Sequence, residues 1–228
     1  MGLPAAPPPA VPPSEPAIEW LGRVDYGAML ERQRQRQSEI ASGHAAEVIW
    51  LLEHPAVITT GRRDVHDLDR TAMKGRGIAI FETERGGLAT WHGPGQLVGY
   101  PILDLGRRNI GVKSYVSRLE AGLCRWLGGR GIAAAARDGF PGVWVGNAKI
   151  AAIGINVRRG VSMHGFALNL CPDLNAFRAF TPCGLDWAEV TSVAAQTGAD
   201  AQPADAADAV GQAIRAAVSD SDLLAEQH

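Results

Sequence analysis

The amino-acid sequence predicts an α+β fold: a mixed, largely antiparallel sheet flanked by helices. Three observations predict it. Apolar runs of strand length outnumber the helical segments. Several of those runs follow one another with short connections. Helix-period spacing is confined to three stretches.

Residues 1–16, MGLPAAPPPAVPPSEP, are mostly proline and alanine and offer no apolar face. A disordered tail of polyproline character is expected there, followed by a single domain over 17–228. From Asp25 to about Ser42 the pattern is helical and polar, with Tyr26, Met29 and Leu30 on one face. Residues 48–53 (VIWLLE) read as a buried strand, and Gly61, Arg62 and Arg63 as a loop. Residues 77–83 (GIAIFET) and 97–105 (LVGYPILDL) read as further strands. Val112, Tyr115, Val116, Leu119, Leu123, Trp126 and Leu127 keep helix spacing, and Gly128, Gly129 and Gly131 end that helix. Short strands are then expected at 132–136, 143–145, 149–157 and 162–170, with Gly146-Asn147 as a tight turn. After Pro203, Val210, Ile214 and Val218 fall at i, i+4 and i+8 of an amphipathic helix.

Composition excludes several classes of function. The net charge of -2 and the pI of about 6.3 disfavour a general nucleic-acid binder. No apolar run approaches the roughly 18 residues of a membrane span, and no basic region precedes an apolar run at the N-terminus. A soluble, cytoplasmic protein is expected. The cysteines, Cys124, Cys171 and Cys183, are few, odd in number and widely spaced, so reduced thiols are expected. Lysine occurs only at 74, 113 and 149 against nineteen arginines, which singles out each lysine, because lysine can exchange a proton and arginine effectively cannot.

Three segments depart from core patterning. Residues 85–100, RGGLATWHGPGQLVGY, hold five glycines. At that density the backbone can approach a ligand closely. Residues 142–156, GVWVGNAKIAAIGIN, surround Lys149 with small side chains on a strand. Residues 164–185 end with Cys183 in a Thr-Pro-Cys-Gly turn. Small residues along paired strands leave a groove that suits a thin apolar ligand, and close strand packing explains the same residues. Gly111-Val112-Lys113-Ser114 has valine where a phosphate loop needs glycine. His164, Cys171 and Cys183 lack paired metal-ligand spacing, so no metal is expected. Between proline and glycine, Cys183 can sit where backbone N–H groups converge on an oxyanion, and a nearby cation would favour its thiolate. Lys149 is the candidate cation. Cys124, on its helix, and Cys171, at a strand end, read as small buried apolar residues.

The strings RGGLATWHGPGQLVGYPILDL, GVWVGNAKIAAIGINV, MHGFALNL and TPCGL, with the shorter Thr60-Gly61-Arg62-Arg63, resemble lipoyl(octanoyl) transferases in order and spacing. The resemblance covers roughly Val48 to Ser192. Trp91 stands where tyrosine is commoner, and the tail lies outside the family pattern. The resemblance implies the fold of biotin and lipoate protein ligase catalytic domains, with 17–228 as one octanoyltransferase domain. It implies that Cys183 is the nucleophile that becomes acylated and that Lys149 lowers its pKa. It implies an acyl site lined by Arg85, Gly86, Gly87, Leu88, Ala89, Thr90, Trp91 and His92, by Ala152, Ile153 and Gly154, and by Gly165, Phe166 and Ala167. The implied donor is octanoyl-acyl carrier protein. The implied acceptor is a lysine on lipoyl domains of 2-oxoacid dehydrogenases or on the glycine-cleavage H protein. A thioester donor is already activated, so no cofactor is expected. Two other readings remain open: an ATP-dependent lipoate or biotin ligase, and a non-catalytic binding module for an acyl chain or carrier protein.

Overall fold

The computed structural model describes residues 15–62, 73, 75, 77–179 and 189–220. Its elements begin with β1 (Ala17–Arg23), α1 (Tyr26–Ala41), β2 (Val48–Glu53), β3 (Val57–Thr60), β4 (Ala79–Glu82), β5 (Thr90–His92) and β6 (Gln96–Ile102). They continue with α2 (Val112–Gly128), β7 (Ala135–Ala136), β8 (Gly142–Val145), β9 (Ala148–Arg158), β10 (Val161–Asn169), a 3-10 helix (Leu174–Ala179), β11 (Glu189–Val190), α3 (Val193–Thr197) and α4 (Pro203–Ser219).

Among the described residues the strands form two sheets. The larger runs β1-β2-β6-β10-β9-β8-β7, with β11 added beside β9, and the smaller runs β4-β3-β5. Within the larger sheet only β1·β2 and β11·β9 pair in parallel. The α+β reading therefore holds, and α1 is the crossover that the parallel β1·β2 pair requires.

The alternation of β2 explains why helices cover both faces. Val48, Trp50 and Leu52 join Tyr26, Met29, Leu30 and Ile40 of α1 in one core cluster. Ile49 and Leu51 join Leu119 and Leu123 of α2 and Val210 and Ile214 of α4 in the other. A strand puts successive side chains on opposite faces, so one continuous apolar run serves two layers. The Asp25 side chain accepts from the Ala28 N–H at 3.0 Å and caps α1, as expected where an acid precedes an apolar face.

The elements found beyond the sequence reading are β1, β3, β5, β11, α3 and the 3-10 helix. Each strand among them is short or lies at an edge. The 143–145 and 149–157 strands are joined through Gly146 at φ 56°. No described helix is long and apolar enough to cross a membrane.

Candidate active site

The 85–92 segment, β9 and β10 enclose a cavity of about 400 Å³. Arg85, Gly86, Gly87, Leu88, Ala89, Thr90 and His92 line it, as do Ala152, Ile153, Gly154, Gly165, Phe166 and Ala167. Lys149, Tyr26, Tyr100 and His164 are also in its wall. The small side chains create the space. At Gly154 a Cβ would stand 3.1 Å from Arg85 Cδ and 3.2 Å from the Gly86 carbonyl oxygen. Trp91 does not line the cavity. It lies between Thr90 and His92 on β5, so strand alternation turns it the other way, onto Phe177 at 5.1 Å between ring centroids.

Backbone contacts hold the glycine-rich loop in place. Gly86 N–H donates to the Ile155 carbonyl at 3.0 Å, and Arg62 N–H to the Arg85 carbonyl at 3.1 Å. Gly61 lies so close to the loop that a Cβ there would be 2.3 Å from the Gly87 carbonyl oxygen. Arg85 is 7% exposed, and its guanidinium donates to the Thr59 carbonyl and hydroxyl at 2.7 and 2.9 Å and to the Gly86 carbonyl at 3.0 Å.

Lys149 sits at the start of β9, half-buried. Its Nζ donates to the Pro141 carbonyl at 3.3 Å and stands 4.6 Å from the centroid of the Trp144 ring. Beside it Gly142 has φ 130°, and a Cβ there would be 2.5 Å from the Ala151 carbonyl oxygen and 3.4 Å from Lys149 Cε. Glu120 of α2 accepts from the Gly142 N–H at 2.9 Å. Burial pushes the Glu120 carboxyl up, against the pull of that N–H and of the Lys149 ammonium. Glu120 escaped the sequence reading, although a carboxylate next to Leu119 on the apolar face of a helix is a visible signal.

Cys183 lies outside the described residues, as do Arg63, Lys74 and the tail before residue 15. The chain that follows Cys183 becomes described at β11, whose Val190 pairs with Lys149. Burial pushes the Cys124 and Cys171 thiols up, helped by Glu120 at the first and by Asp200 and Glu53 at the second.

Three buried histidines share this region. His54 Nδ1–H donates to the Val24 carbonyl at 2.7 Å, which leaves Nε2 to accept from the Tyr100 hydroxyl at 2.9 Å. Among the described residues His164 Nε2 has no hydrogen-bond partner, and Glu84 Oε2 is 3.9 Å away. Burial above all pulls His54 and His164 down to about 4 and His92 to about 3. An unfolded histidine titrates near 6.5. Below that pH the unfolded chain takes up protons that these folded rings refuse, so their contribution to stability is full above about 6.5 and is lost as pH falls toward 4. The melting temperature is expected to drop across that window. A flat profile between pH 7 and 4.5 would contradict neutral burial of the three rings.

Among the described residues no group of three or more His, Cys, Asp or Glu is arranged to hold a metal ion. The family model for the lipoyl protein ligase A/B catalytic domain matches residues 25–215, and the chain belongs to that family. Relatives within it include octanoyltransferases. That of Solibacter usitatus is 49% identical over 182 residues, 78% of this chain and 82% of its own. That of Leifsonia xyli is 45% identical over 199 residues, 85% and 87% of the two chains. The protein is accordingly an acyltransferase of the octanoyltransferase family.

Solved structures agree on the fold. P. falciparum LipL1 in complex with lipoate aligns with TM-score 0.66 at 12% identity, covering 89% of this chain and 61% of that one. A bipartite lipoate protein ligase from Thermoplasma acidophilum gives 0.61 at 16% identity, over 90% and 83%. The biotin protein ligase of Aquifex aeolicus gives 0.51 at 11% identity, over 90% and 70%.

Proposed function

We propose that this protein takes an octanoyl group from octanoyl-acyl carrier protein onto Cys183 as a thioester and passes it to the lysine of a lipoyl domain. The acceptors are the lipoyl domains of 2-oxoacid dehydrogenases and the glycine-cleavage H protein. The observation that carries this reading is a cavity walled by small residues, with Lys149 in its wall and the chain after Cys183 rejoining the sheet at Lys149. Residues 17–228 act in it as one catalytic domain.

In the first half-reaction the Cys183 sulfur attacks the donor carbonyl, and the carrier thiol leaves with a proton. In the second, the acceptor amine attacks the enzyme thioester, loses a proton and frees the Cys183 thiol. Burial pushes the Cys124 and Cys171 thiols up and away from the reactive thiolate form, which supports Cys183 as the nucleophile. Arg85 and the loop after it, with Ala152, Ile153, Gly154, Gly165, Phe166 and Ala167, hold the acyl chain. Trp91 supports β5 from behind.

Intact mass spectrometry after brief exposure to octanoyl-carrier protein tests this directly. One octanoyl adduct, removable by hydroxylamine and mapped to Cys183, is expected without ATP. An adduct on another cysteine, or acylation that consumes ATP, would overturn the reading; the latter would favour a ligase.

Carrier proteins are generally acidic, which makes exposed arginines candidates for docking. Among the described residues arginines are adjacent at Arg107-Arg108 and at Arg158-Arg159. Arg108 is buried in an ion pair with Glu47, and Arg107 pairs with Asp104 at 3.4 Å. Arg62, Arg158 and Arg159 instead line a second cavity of about 390 Å³, together with Arg34. Reversing both charges in Arg158→Glu/Arg159→Glu is expected to raise the carrier KM by about 3- to 10-fold at low salt. The effect should shrink as salt shortens the Debye length to about 3 Å at 1 M. An unchanged KM at low salt would remove this face from the docking site.

A further inference from the structure

A chain of buried amides runs from the acyl cavity to the backbone at Lys149, and the transfer reading leaves it unused. Its direction is fixed from one end. Asn169 Nδ2 donates to the Thr191 carbonyl at 3.0 Å, and a carbonyl can only accept. Asn169 Oδ1 is therefore free to accept from Gln96 Nε2, at 2.9 Å. Gln96 Oε1 in turn accepts from His92 Nδ1–H, at 2.7 Å. His92 is left with its lone pair on Nε2. At the other end the Thr191 N–H donates to the Lys149 carbonyl at 3.0 Å.

Packing alone does not call for this arrangement. Gln96 and Asn169 are cross-strand partners on β6 and β10 and are 1% and 4% exposed. Two apolar side chains would fill the same place without needing partners, whereas a buried amide is costly unless its donors and acceptors are met. What the amides add is orientation. The residue they reach, Thr191, directly follows β11, a strand only two residues long. Asn169 adds a side-chain bond that favours one position of that stretch, the one in which its N–H meets the Thr191 carbonyl.

We propose that Gln96 and Asn169 are positioning residues for acyl transfer: they tie the cavity wall at His92 to the backbone at Lys149 and to the point where the chain after Cys183 rejoins β9. The inference rests on the transfer reading above. Neither side chain lines the cavity, so their loss should act on the reaction and not on acyl binding. A misplaced Thr191 shifts residues 189–191, the described stretch that follows Cys183, along the Lys149 backbone. Loss of turnover and of thiol activation should follow together.

The decisive variant is Asn169→Asp. It keeps the shape but sets a carboxylate oxygen against the Thr191 carbonyl. Turnover is expected to fall on the order of 10²-fold, as a small misplacement of reacting groups costs. The KM for the octanoyl donor should stay within about twofold of wild type, since uniform binding is untouched. The pH midpoint of Cys183 alkylation, read peptide by peptide, should rise toward the ordinary value of about 8.5. Gln96→Glu still accepts from His92 but has no donor for Asn169, and should shift both readouts the same way. Gln196→Ala is the control. It removes the 2.9 Å bond to the Thr191 hydroxyl and should leave turnover and midpoint unchanged.

If Asn169→Asp does not fold, Gln96→Glu decides alone. A folded variant of either kind with wild-type turnover and midpoint overturns the inference. So does a variant that raises KM alone, or a Gln196→Ala that matches them. The transfer reading fails separately, and visibly, if the wild-type protein forms no acyl adduct on Cys183.

Discussion

Replacing Cys183 with alanine is expected to lower octanoyl transfer by roughly 10³-fold or more, with the melting temperature and octanoate binding little changed. The size of the effect follows from what the thiol does. Direct attack of the acceptor lysine on the carrier thioester needs two large proteins and one small reacting centre in place together. In the proposed route a covalent intermediate separates the two encounters and holds the acyl group between them. On that route the holding step is lost with Cys183, and burial disfavours the thiolate at the two remaining cysteines. Cys171 is half-buried near Asp200 and Glu53, and Cys124 is half-buried near Glu120; burial and these carboxylates favour the neutral thiol at both. The described cavity walls come from other residues, so octanoate should still bind the variant. Cys183→Ala that transfers at the wild-type rate, measured under multiple turnover with carrier protein and acceptor both present, would remove the thioester from the pathway.

Much of the fold was legible because its main elements are long or strongly patterned. The α2 spacing from Val112 to Leu127 and the β2 run from Val48 to Glu53 appear where the sequence puts them. What was missed is short. The three residues of β5 and four of β3 span no more than two periods of strand alternation, and β1 is half-exposed without clean alternation. Short strands persist through tertiary context. In the β4-β3-β5 sheet that context is supplied by Ile58 and Trp91, buried with Met73 and Phe177.

The candidate site divides in the same way. The glycine-rich 85–92 loop and the Gly154 and Gly165 strands could be read from composition, because an excess of small residues is visible in a string. Trp91 could not be excluded, because its side depends on β5 being a strand. Glu120, Gln96 and Asn169 act through partners 22 to 73 residues away, a distance that no local pattern records.

Lys149→Arg and Lys149→Ala are expected to separate two roles of the lysine. A free cysteine has a pKa of about 8.5, so only a few per cent is thiolate at neutral pH. A cation within about 4–6 Å favours the thiolate, and each tenfold gain in the ratio of thiolate to thiol corresponds to about 1.4 kcal/mol. Arginine can supply the charge. It cannot readily give a proton to a leaving carrier thiol and take one from an incoming amine. The surroundings of Lys149 also fit a compact ammonium. Its stem passes Gly142, its Nζ donates to the Pro141 carbonyl, and the Glu120 carboxylate balances part of its charge. Lys149→Arg is therefore expected to keep part of the low alkylation midpoint of Cys183 while transfer falls by about 10²-fold or more, the usual worth of a positioned acid–base group. Lys149→Ala should lose both, its midpoint rising toward about 8.5. The sign is fixed by the charge: removing a cation disfavours the thiolate, so the midpoint must move up. The checks are the pH dependence of iodoacetamide alkylation at Cys183 and the transfer rate, taken on the same preparations. An identical midpoint in wild type and Lys149→Ala would show that Lys149 does not activate the thiol, and its contribution would then lie in holding the acyl carbonyl at the mouth of the cavity, where Lys149→Ala should raise KM for the donor instead.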